Sequence, residues 1–591
     1  MTDKKLDELY SFLEDPAFLD IEAEKAMQIS KRFTKNKEKI RGDCKSIKLA
    51  ILSNFNLDFL INTIEFCLFQ RGINAEIFTA DFGTMFSQLL DEKSKTFQFE
   101  PDYILIWPTH RDIQKFKYSS ISEASFWSSM WKISNKKNIQ IIQILFDFPP
   151  FASRKNFIDK KNYSFLDHIK NTNTLLLKKY SEQCEFLRIE NLMMHLGTEN
   201  WHDYRMFHLC KQPFSMDAIP TISQHLASEL AGRMGNSKKV LILDLDNTLW
   251  GGEIGDVGQE GIVLGRENGE GESYLEFQSY IKALNKNGVI LSVCSKNEEL
   301  LAESVFKNHP EMQIEYNDIS CFIANFNDKA TNIRKIKEFL NVGYDSMVFI
   351  DDNVVECKWV KKQIPEITVI NLKGDPSSFA MQVDRLGLFL KGKVTSEDIK
   401  RTKSYTTLKK IERVKNNSGE LEIFLSSLKP KLIVEEVSPF AIDRIAQLLQ
   451  KTNQFKLNGF IYSKEEVTKN KKNIIALRFT DKLNDYGIVV VIIAEFFNQT
   501  LKIVNWVMSC RVFSRNIEFA VYRILKKIAL KYECKNMLIE FHANSKNGPA
   551  ASAIKKIGFV RKGKTNLFYN DMSHTIKEDN IDFRNLKRIE L

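Results

Sequence analysis

Lys239-Val240-Leu241-Ile242-Leu243-Asp244-Leu245-Asp246-Asn247-Thr248-Leu249-Trp250 is the stretch from which the fold can be read. Val240 to Leu243 form an unbroken apolar run, the pattern of a strand covered on both faces of a parallel sheet, and open α/β sheets bind ligands beyond the carboxyl ends of such strands. Two carboxylates and then a hydroxyl follow at that end. Alternate strand residues point the same way, so a strand continuing through Leu245 aims Asp244 and Asp246 at one point.

Three later segments are built to join that point. Val289-Ile290-Leu291-Ser292-Val293-Cys294 is a second apolar strand, ending at Ser295-Lys296-Asn297. Between the first two strands, Leu275, Ile281 and Leu284 mark a helix that stops at Gly288. Lys329 opens a helical pattern with Ile333, Ile336, Phe339 and Leu340 on one face, closed by Gly343. Met347-Val348-Phe349-Ile350 is a third strand and ends in Asp351-Asp352-Asn353. This alternation is a doubly wound unit whose right-handed crossovers bring the three strand ends to one sheet edge.

Four carboxylates, a lysine and two hydroxyls are expected to converge there. Like charges held in a cleft cost several kcal/mol per unpaired ion, and a multivalent cation relieves that cost. Mg²⁺ fits best, because it takes carboxylate and carbonyl oxygens and keeps waters for a phosphate, and no Cys/His cluster of zinc spacing occurs here. A cation, a lysine and hydroxyl donors beside a free carboxylate suit phosphoryl transfer through an aspartyl-phosphate.

The order Asp244-x-Asp246-x-Thr248, Ser295, Lys329, Asp351-Asp352 resembles the four motifs of haloacid-dehalogenase (HAD) superfamily phosphatases. The resemblance implies that Asp244 is the nucleophile and Asp246 the general acid, then base. It implies that Thr248 and Ser295, with Lys296 and Asn297 beside them, hold the phosphorylated substrate, and that Lys329 neutralises charge. Mg²⁺ would be bound by the Asp244 carboxylate, the Asp246 carbonyl and the acidic pair Asp351 and Asp352, with Asp352 as the direct ligand. An Asp-x-Asp after a strand can also be a simple cap and turn; four motifs in order, each at its expected element boundary, outweigh that reading.

Only the stretch from Gly251 to Gly271, rich in Gly and acidic residues, precedes the first helix, and no large lid fits there. The segment from Lys296 to Asp328 is similarly short. A lidless site cannot enclose a small metabolite alone, so either a neighbouring domain closes it or the phosphate arrives on a macromolecule.

With 591 residues and 43% hydrophobic content, the chain is long enough for about three globular domains. No apolar run of transmembrane length occurs and the first residues lack an apolar signal core, so no membrane insertion and a cytoplasmic location are expected. Nine scattered cysteines without a Cys-x-x-Cys pair suit a reducing compartment. The net charge of +10 reflects a lysine-rich composition or a dock for an acidic partner, and no basic block with interleaved aromatics points to nucleic acid.

Ile47 to Leu52, Tyr103 to Trp107 and Ile139 to Leu145 are three further apolar strands, which predict a separate α/β domain over residues 45–233 behind a helical, charged N-terminal arm, 1–44. Ser53-Asn54 and Asp147 each follow a strand end, so a second cleft is expected. The domain resembles the SGNH-hydrolase-like domain found before some HAD phosphatases, but no Gly-Asp precedes Ser53 and Asp203 is followed three residues on by Met206 where that family has histidine. Ser53 therefore reads as a cap, and the domain as one that recognises or covers a substrate.

The HAD-like unit spans residues 236–392, and a charged segment with linker helices, 393–429, contains Arg401 and Tyr405. Over 430–591 the order strand, helix, strand, two long strands turning at Asn498-Gln499, helix, strand, helix is mixed α+β. It resembles a GNAT acyltransferase domain. In that family the loop after the central strand binds coenzyme A through closely approached backbone amides; here it reads Arg511-Val512-Phe513-Ser514-Arg515-Asn516, and side chains stand at both glycine positions. That substitution argues for a different donor or acceptor.

The fold class is thus α/β multidomain: SGNH-like, then a doubly wound HAD-like sheet without a large cap, then a GNAT-like α+β domain. Together the domains resemble the FkbH-like family, through Asp244-Leu245-Asp246-Asn247-Thr248-Leu249-Trp250-Gly251-Gly252, Cys294-Ser295-Lys296-Asn297, Asp351-Asp352-Asn353, Lys451-Thr452-Asn453-Gln454-Phe455, Asp485-Tyr486-Gly487 and Met508-Ser509-Cys510-Arg511-Val512. The resemblance implies that glycerate is taken from 1,3-bisphosphoglycerate, freed of phosphate and loaded as a thioester on the phosphopantetheine arm of an acyl carrier protein. Cys510, at a strand end beside the cation Arg511, is the candidate thiol for first capture, although most unpaired cysteines are buried apolar side chains. The alternatives are a stand-alone phosphatase of a sugar phosphate or phosphoprotein, and a GNAT-type acyltransferase of surface-glycan assembly.

Overall fold

Apolar runs that are buried on both faces pair in parallel, and two of the three sheets follow that rule. The structure is a computed structural model. It describes residues 9, 12–13, 21–40, 44–114, 119–149, 165–391, 428–452, 455–460, 462–482, 485–509, 512, 517–544, 547–563, 565–573 and 581–584. The chain divides into a unit of Met1–Arg233 with Arg385–Leu390, and a second of Met234–Asp384 with Lys391–Leu591.

In the first unit β1 (Lys45–Ser53), β2 (Ile73–Thr79), β3 (Tyr103–Trp107), β4 (Gln140–Ile144) and β5 (Glu185–Leu187) form one parallel sheet in the order β2-β1-β3-β4-β5. The sequence pattern shows β1, β3 and β4, whose apolar runs are continuous. It does not show β2 and β5, which are the polar-flecked edge strands. The helix Ala23–Asn36, expected within a separate arm, packs instead on the helix Asp58–Gln70, with Phe33 against Phe66 at 5.4 Å and Phe69 at 5.0 Å. Its amphipathic face leaves it no stable existence apart from that contact. Arg385–Leu390, at the end of the stretch assigned by pattern to the HAD-like unit, belongs here: Arg71 donates to the Leu386 carbonyl and to Ser228 Oγ.

The second unit holds β6 (Val240–Leu243), β7 (Ile290–Ser295), β8 (Ile319–Ala324), β9 (Met347–Asp351) and β10 (Thr368–Asn371), all parallel in the order β10-β9-β6-β7-β8. Leu243 lies opposite both Val293 and Ile350, so the strand ends are level and the residues that follow meet at one edge. The helix Gly269–Lys286 links β6 to β7, and the helix Lys329–Leu340 links β8 to β9. The latter ends on Asn341 in the left-handed conformation, φ 49°, and not on Gly343. Asn is the residue besides Gly that adopts this cap readily.

A third, eight-stranded sheet runs β16-β17-β15-β14-β13-β12-β11-β18 among the described residues. Its strands are β11 (Lys431–Glu435), β12 (Ile474–Thr480), β13 (Asp485–Phe497), β14 (Thr500–Met508), β15 (Asn536–Glu540), β16 (Val560–Arg561), β17 (Leu567–Asn570) and β18 (Asp582–Arg584). Asn498 and Gln499, φ 47° and 57°, form the two-residue turn between β13 and β14; positive φ at both positions suits the twist of a tight hairpin. β14 pairs in parallel with β15 only over Thr500–Ile503, while its other half stays with β13 and is met by Lys456 opposite Val507. The mixed pairing makes this an α+β domain.

Candidate active site

The β6 strand stops at Leu243, sooner than the sequence pattern suggests. Asp244 still donates its amide to the Ile350 carbonyl at 3.0 Å, but Thr248 and Leu249 donate back to the Leu245 carbonyl and Asn247 takes φ 53°. The chain therefore turns at Asp246 and does not continue as a strand through Leu245. Asp246 Oδ1 accepts from Trp250 Nε1 at 2.9 Å and the Ile254 amide at 3.2 Å, and its Oδ2 accepts from Asn297 Nδ2 at 2.9 Å. Of the four expected carboxylates, Asp244, Asp351 and Asp352 offer oxygens within 4.8 Å of one another, and Asp246 stands outside that group, joined to the same edge through Asn297 and Ser295.

Lys329 links two of the three. Its buried Nζ lies 2.9 Å from Asp244 Oδ2 and 2.6 Å from Asp351 Oδ2. Its helix is capped by Asp328, which accepts from the Thr331 amide, so Lys329 leaves the first turn directly under the strand ends. Asp351 Oδ1 accepts from the Asn353 amide at 2.8 Å. Asn371 Nδ2 donates to the carbonyls of Asp351 and Asp352 at 3.1 and 2.7 Å, which fixes the backbone carrying both acids.

One ammonium does not neutralise three carboxyl groups. Burial and then the Asp244 charge push Asp351 up to about 7, against the pull of Lys329, and burial and Asp244 raise Asp352 as well. Burial alone would lower Lys329, but the neighbouring Asp244 and Asp351 outweigh it and raise it. Asp244 Oδ1 is buried and accepts no hydrogen bond. A surplus of hard carboxylate oxygens, one of them unpartnered, fits a divalent cation of the Mg²⁺ kind and not a Cys/His-seeking ion. Asp244, Asp351 and Asp352 are the side chains able to hold it; Asp351 already accepts from Lys329 and the Asn353 amide, so Asp244 and Asp352 carry the less engaged oxygens.

The other expected site residues lie around this cluster. Thr248 is buried, with Oγ1 at 3.4 Å from Asp352 Oδ1. Ser295 ends β7, buried, and accepts from Asn297 Nδ2 at 3.2 Å. Lys296, expected at the substrate, pairs with Glu356 at 2.5 Å. Cys510 and Arg511 lie outside the described residues, as does all of 393–427 in the linker. Trp250 and Asn371 were not anticipated; an indole four residues after Asp246 was the available signal for the first.

The Gly251–Gly271 stretch carries no lid. Gly251 and Val263 exchange backbone hydrogen bonds at 3.0 and 2.8 Å, closing off a short helical segment, Ile254–Gly261. A Cβ on Gly251 would lie 3.0 Å from Val263 Cβ and 3.1 Å from Tyr274, so any larger residue would have to push these side chains aside.

A second polar cluster sits at the carboxyl edge of β1, β3 and β4 in the first unit. Asp147 Oδ1 accepts from the amide and Nδ1 of His110 at 2.6 and 2.9 Å. Burial would raise Asp147, but the His110 charge and hydrogen bonds overcome this and lower it. Asn54 Nδ2 donates to Asp112 Oδ1 at 2.8 Å, and Ser53 Oγ turns to the Phe55 carbonyl at 2.8 Å. Ser53 is thus held in a local turn and caps no helix, contrary to expectation. His110 escaped sequence reading, although a histidine just past an apolar strand was its signal.

Residues 48–229 match the family described as FkbH, N-terminal domain. Among solved structures, the chain is 30% identical to the N-terminal part of the protein BF1531 from Bacteroides fragilis, which contains a phosphatase domain and was crystallised with Mg. The match covers 62% of this chain and 99% of that one, with a TM-score of 0.57. The ribosomal-protein-S18-alanine N-acetyltransferase of Escherichia coli matches at 11% identity over 25% of this chain and 97% of its own, with a TM-score of 0.20. The PaiA N-acetyltransferase of Thermoplasma acidophilum, in complex with coenzyme A, matches at 13% identity over 24% and 96%, with a TM-score of 0.20. Among curated proteins none matches. With the relative from Bacteroides fragilis covered almost end to end at that identity, and the N-terminal domain matched besides, the chain belongs to the FkbH-like family.

Proposed function

We propose that the protein is a Mg²⁺-dependent HAD-type phosphatase coupled to glyceryl transfer: it takes phosphoglycerate from 1,3-bisphosphoglycerate, removes its phosphate and loads glyceryl on an acyl carrier protein. The observation that carries the phosphatase half is the buried Asp244, tied through Oδ2 to Lys329 while Oδ1 is unpartnered. A carboxylate oriented by an ammonium and left with an unpartnered oxygen suits attack on phosphorus.

Asp244 Oδ1 bonds to phosphorus as the ester oxygen leaves, and Asp246 gives that oxygen its proton. Asp246 then takes a proton from water, which attacks phosphorus, expels the Asp244 carboxylate and yields inorganic phosphate. Trp250, Asn297 and the Ile254 amide hold Asp246 in place for both transfers. Asp244 and Asp352 would hold Mg²⁺, with the Asp246 carbonyl as a further ligand; the ion would screen phosphoryl oxygens from the carboxylates. Ser295 and Thr248 lie beside the cluster as hydroxyl donors to phosphate.

For the transfer half, a thiol attacks the acyl-phosphate carbonyl, releases inorganic phosphate and keeps the 3-phosphoglyceryl group as a thioester; exchange with the carrier's thiol then restores it. Cys510 is our candidate. The lidless edge supports a substrate that arrives on a tether, and family membership supports the pairing of the two reactions.

The test is incubation of the full chain with Mg²⁺, labelled 1,3-bisphosphoglycerate and carrier protein. A glyceryl-carrier thioester is expected, and a phosphoglyceryl-carrier with Asp244→Asn. Phosphate release without carrier loading would instead indicate a stand-alone phosphatase, and unmodified Cys510 with product still formed would reject the thiol assignment.

A further inference from the structure

We infer that the helix Val354–Gln363, together with Phe326, forms the docking surface for an acidic carrier protein that presents its phosphorylated acyl group to the Asp244 cluster; the inference rests on the function proposed above. The helix starts immediately after Asp351-Asp352-Asn353, with Asn353 accepting from the Val355 and Glu356 amides as its cap. Its solvent face is fixed by the spacing of its buried residues, Cys357 and Val360. Val355, Lys358, Trp359 and Lys362 fall on the opposite side at helical neighbour positions, and all four are exposed.

Val355 is 68% and Trp359 41% exposed, while Phe326, in the segment between β8 and Lys329, is 79% exposed. Single exposed apolar residues are ordinary; several on the segments that leave the strand ends at the mouth of one cleft are not. Trp359 Nε1 donates to Asp328 Oδ1 at 3.2 Å, so the indole is pinned beside the cap of the Lys329 helix. The one acid of the helix, Glu356, is taken by Lys296. The exposed charges left on that face are Lys358 and Lys362, both positive.

Apolar anchors flanked by lysines match a partner helix with apolar and acidic residues, and the charges would act mainly on the rate of encounter. A free metabolite would need only the carboxylates, lysine and hydroxyls inside the cleft. The surface adds a reason for the missing lid, since the partner itself covers the edge when it docks.

The test compares two substrates on the Mg²⁺-loaded full chain: 3-phosphoglyceryl-loaded acyl carrier protein and untethered p-nitrophenyl phosphate. The double change Lys358→Glu/Lys362→Glu is expected to lower kcat/KM for the carrier-borne substrate by roughly tenfold and to flatten its salt dependence. Phe326→Ser should lower the same constant by about threefold to tenfold, and hydrolysis of the small ester should stay within about twofold in both variants. Equal effects on both substrates, or none on either, would overturn the docking surface while leaving the phosphatase assignment in place. A wild-type protein that cleaves the small ester but never the carrier-borne one would defeat the proposed function, and this surface with it.

Discussion

The chain builds the same device twice, a parallel sheet with acids just beyond its strand ends, and the two edges carry opposite balances of charge. In the first unit Asp147 meets His110 through both amide and ring and is lowered, although its Oδ2 is buried without a partner; Asp112 has a donor on each oxygen from Asn54 or Thr109, yet burial raises it. In the second, three carboxyl groups crowd one lysine, and Asp351 and Asp352 are raised. What lowers Asp147 is the histidine charge beside it, so that acid needs no added ion. A buried acid whose neighbours are other acids is held in an arrangement that only a cation or a proton completes.

The largest expected effect separates the two edges by activity. On the proposed mechanism, Asp244→Asn lowers phosphate release by at least about 10³-fold, because it removes the attacking oxygen. Asp147→Asn is expected to leave phosphate release from p-nitrophenyl phosphate within about twofold. Parallel steady-state assays of the two folded variants check this, and equal losses would erase the distinction drawn here.

Stability sharpens it. Lys329→Met, which strands Asp244 and Asp351, should cost about 3–5 kcal/mol in denaturant unfolding without divalent ions, and added Mg²⁺ should restore part of the loss. Asp147→Asn should cost less, about 1.5–3 kcal/mol at neutral pH, as the loss of charge-assisted hydrogen bonds, and Mg²⁺ should restore none of it. Because Asp147 is lowered in the folded chain, its contribution is complete above its unfolded pKa, about 4, and fades as pH falls through the folded value. Unfolding of wild type and Asp147→Asn followed from neutral pH into acid should therefore converge.

The smallest effect concerns positioning. Trp250→Phe keeps an aromatic ring in the core and removes one donor from Asp246 Oδ1, so kcat should fall by about tenfold with KM little changed. A rise in KM alone would show that Trp250 serves substrate binding and not the orientation of Asp246.

Much of the second unit was legible because β6, β7 and β9 are unbroken apolar runs, each followed at once by polar residues, and parallel pairing forces such ends together. The short edge strands β2, β5 and β10 were not, since a few mixed residues at a sheet border carry no distinctive pattern. The departure at Asp246 turned on a single backbone event. Asn247 in the left-handed region swings the chain out of the strand, and periodicity cannot register one residue of turn. Likewise Asn341 ended its helix before Gly343 could. His110 shows the remaining gap: it approaches Asp147 from 37 residues away, a proximity that the topology creates and the local sequence does not announce.

The central claim is that the charge surplus at Asp244, Asp351 and Asp352 is what holds a divalent ion. Isothermal titration of the full chain with Mg²⁺ tests it directly, beside Asp352→Asn and Asp147→Asn. The account predicts saturable binding by wild type and by Asp147→Asn, and its loss in Asp352→Asn. Binding unchanged by the Asp352 substitution, or no binding by the wild-type protein, would contradict it.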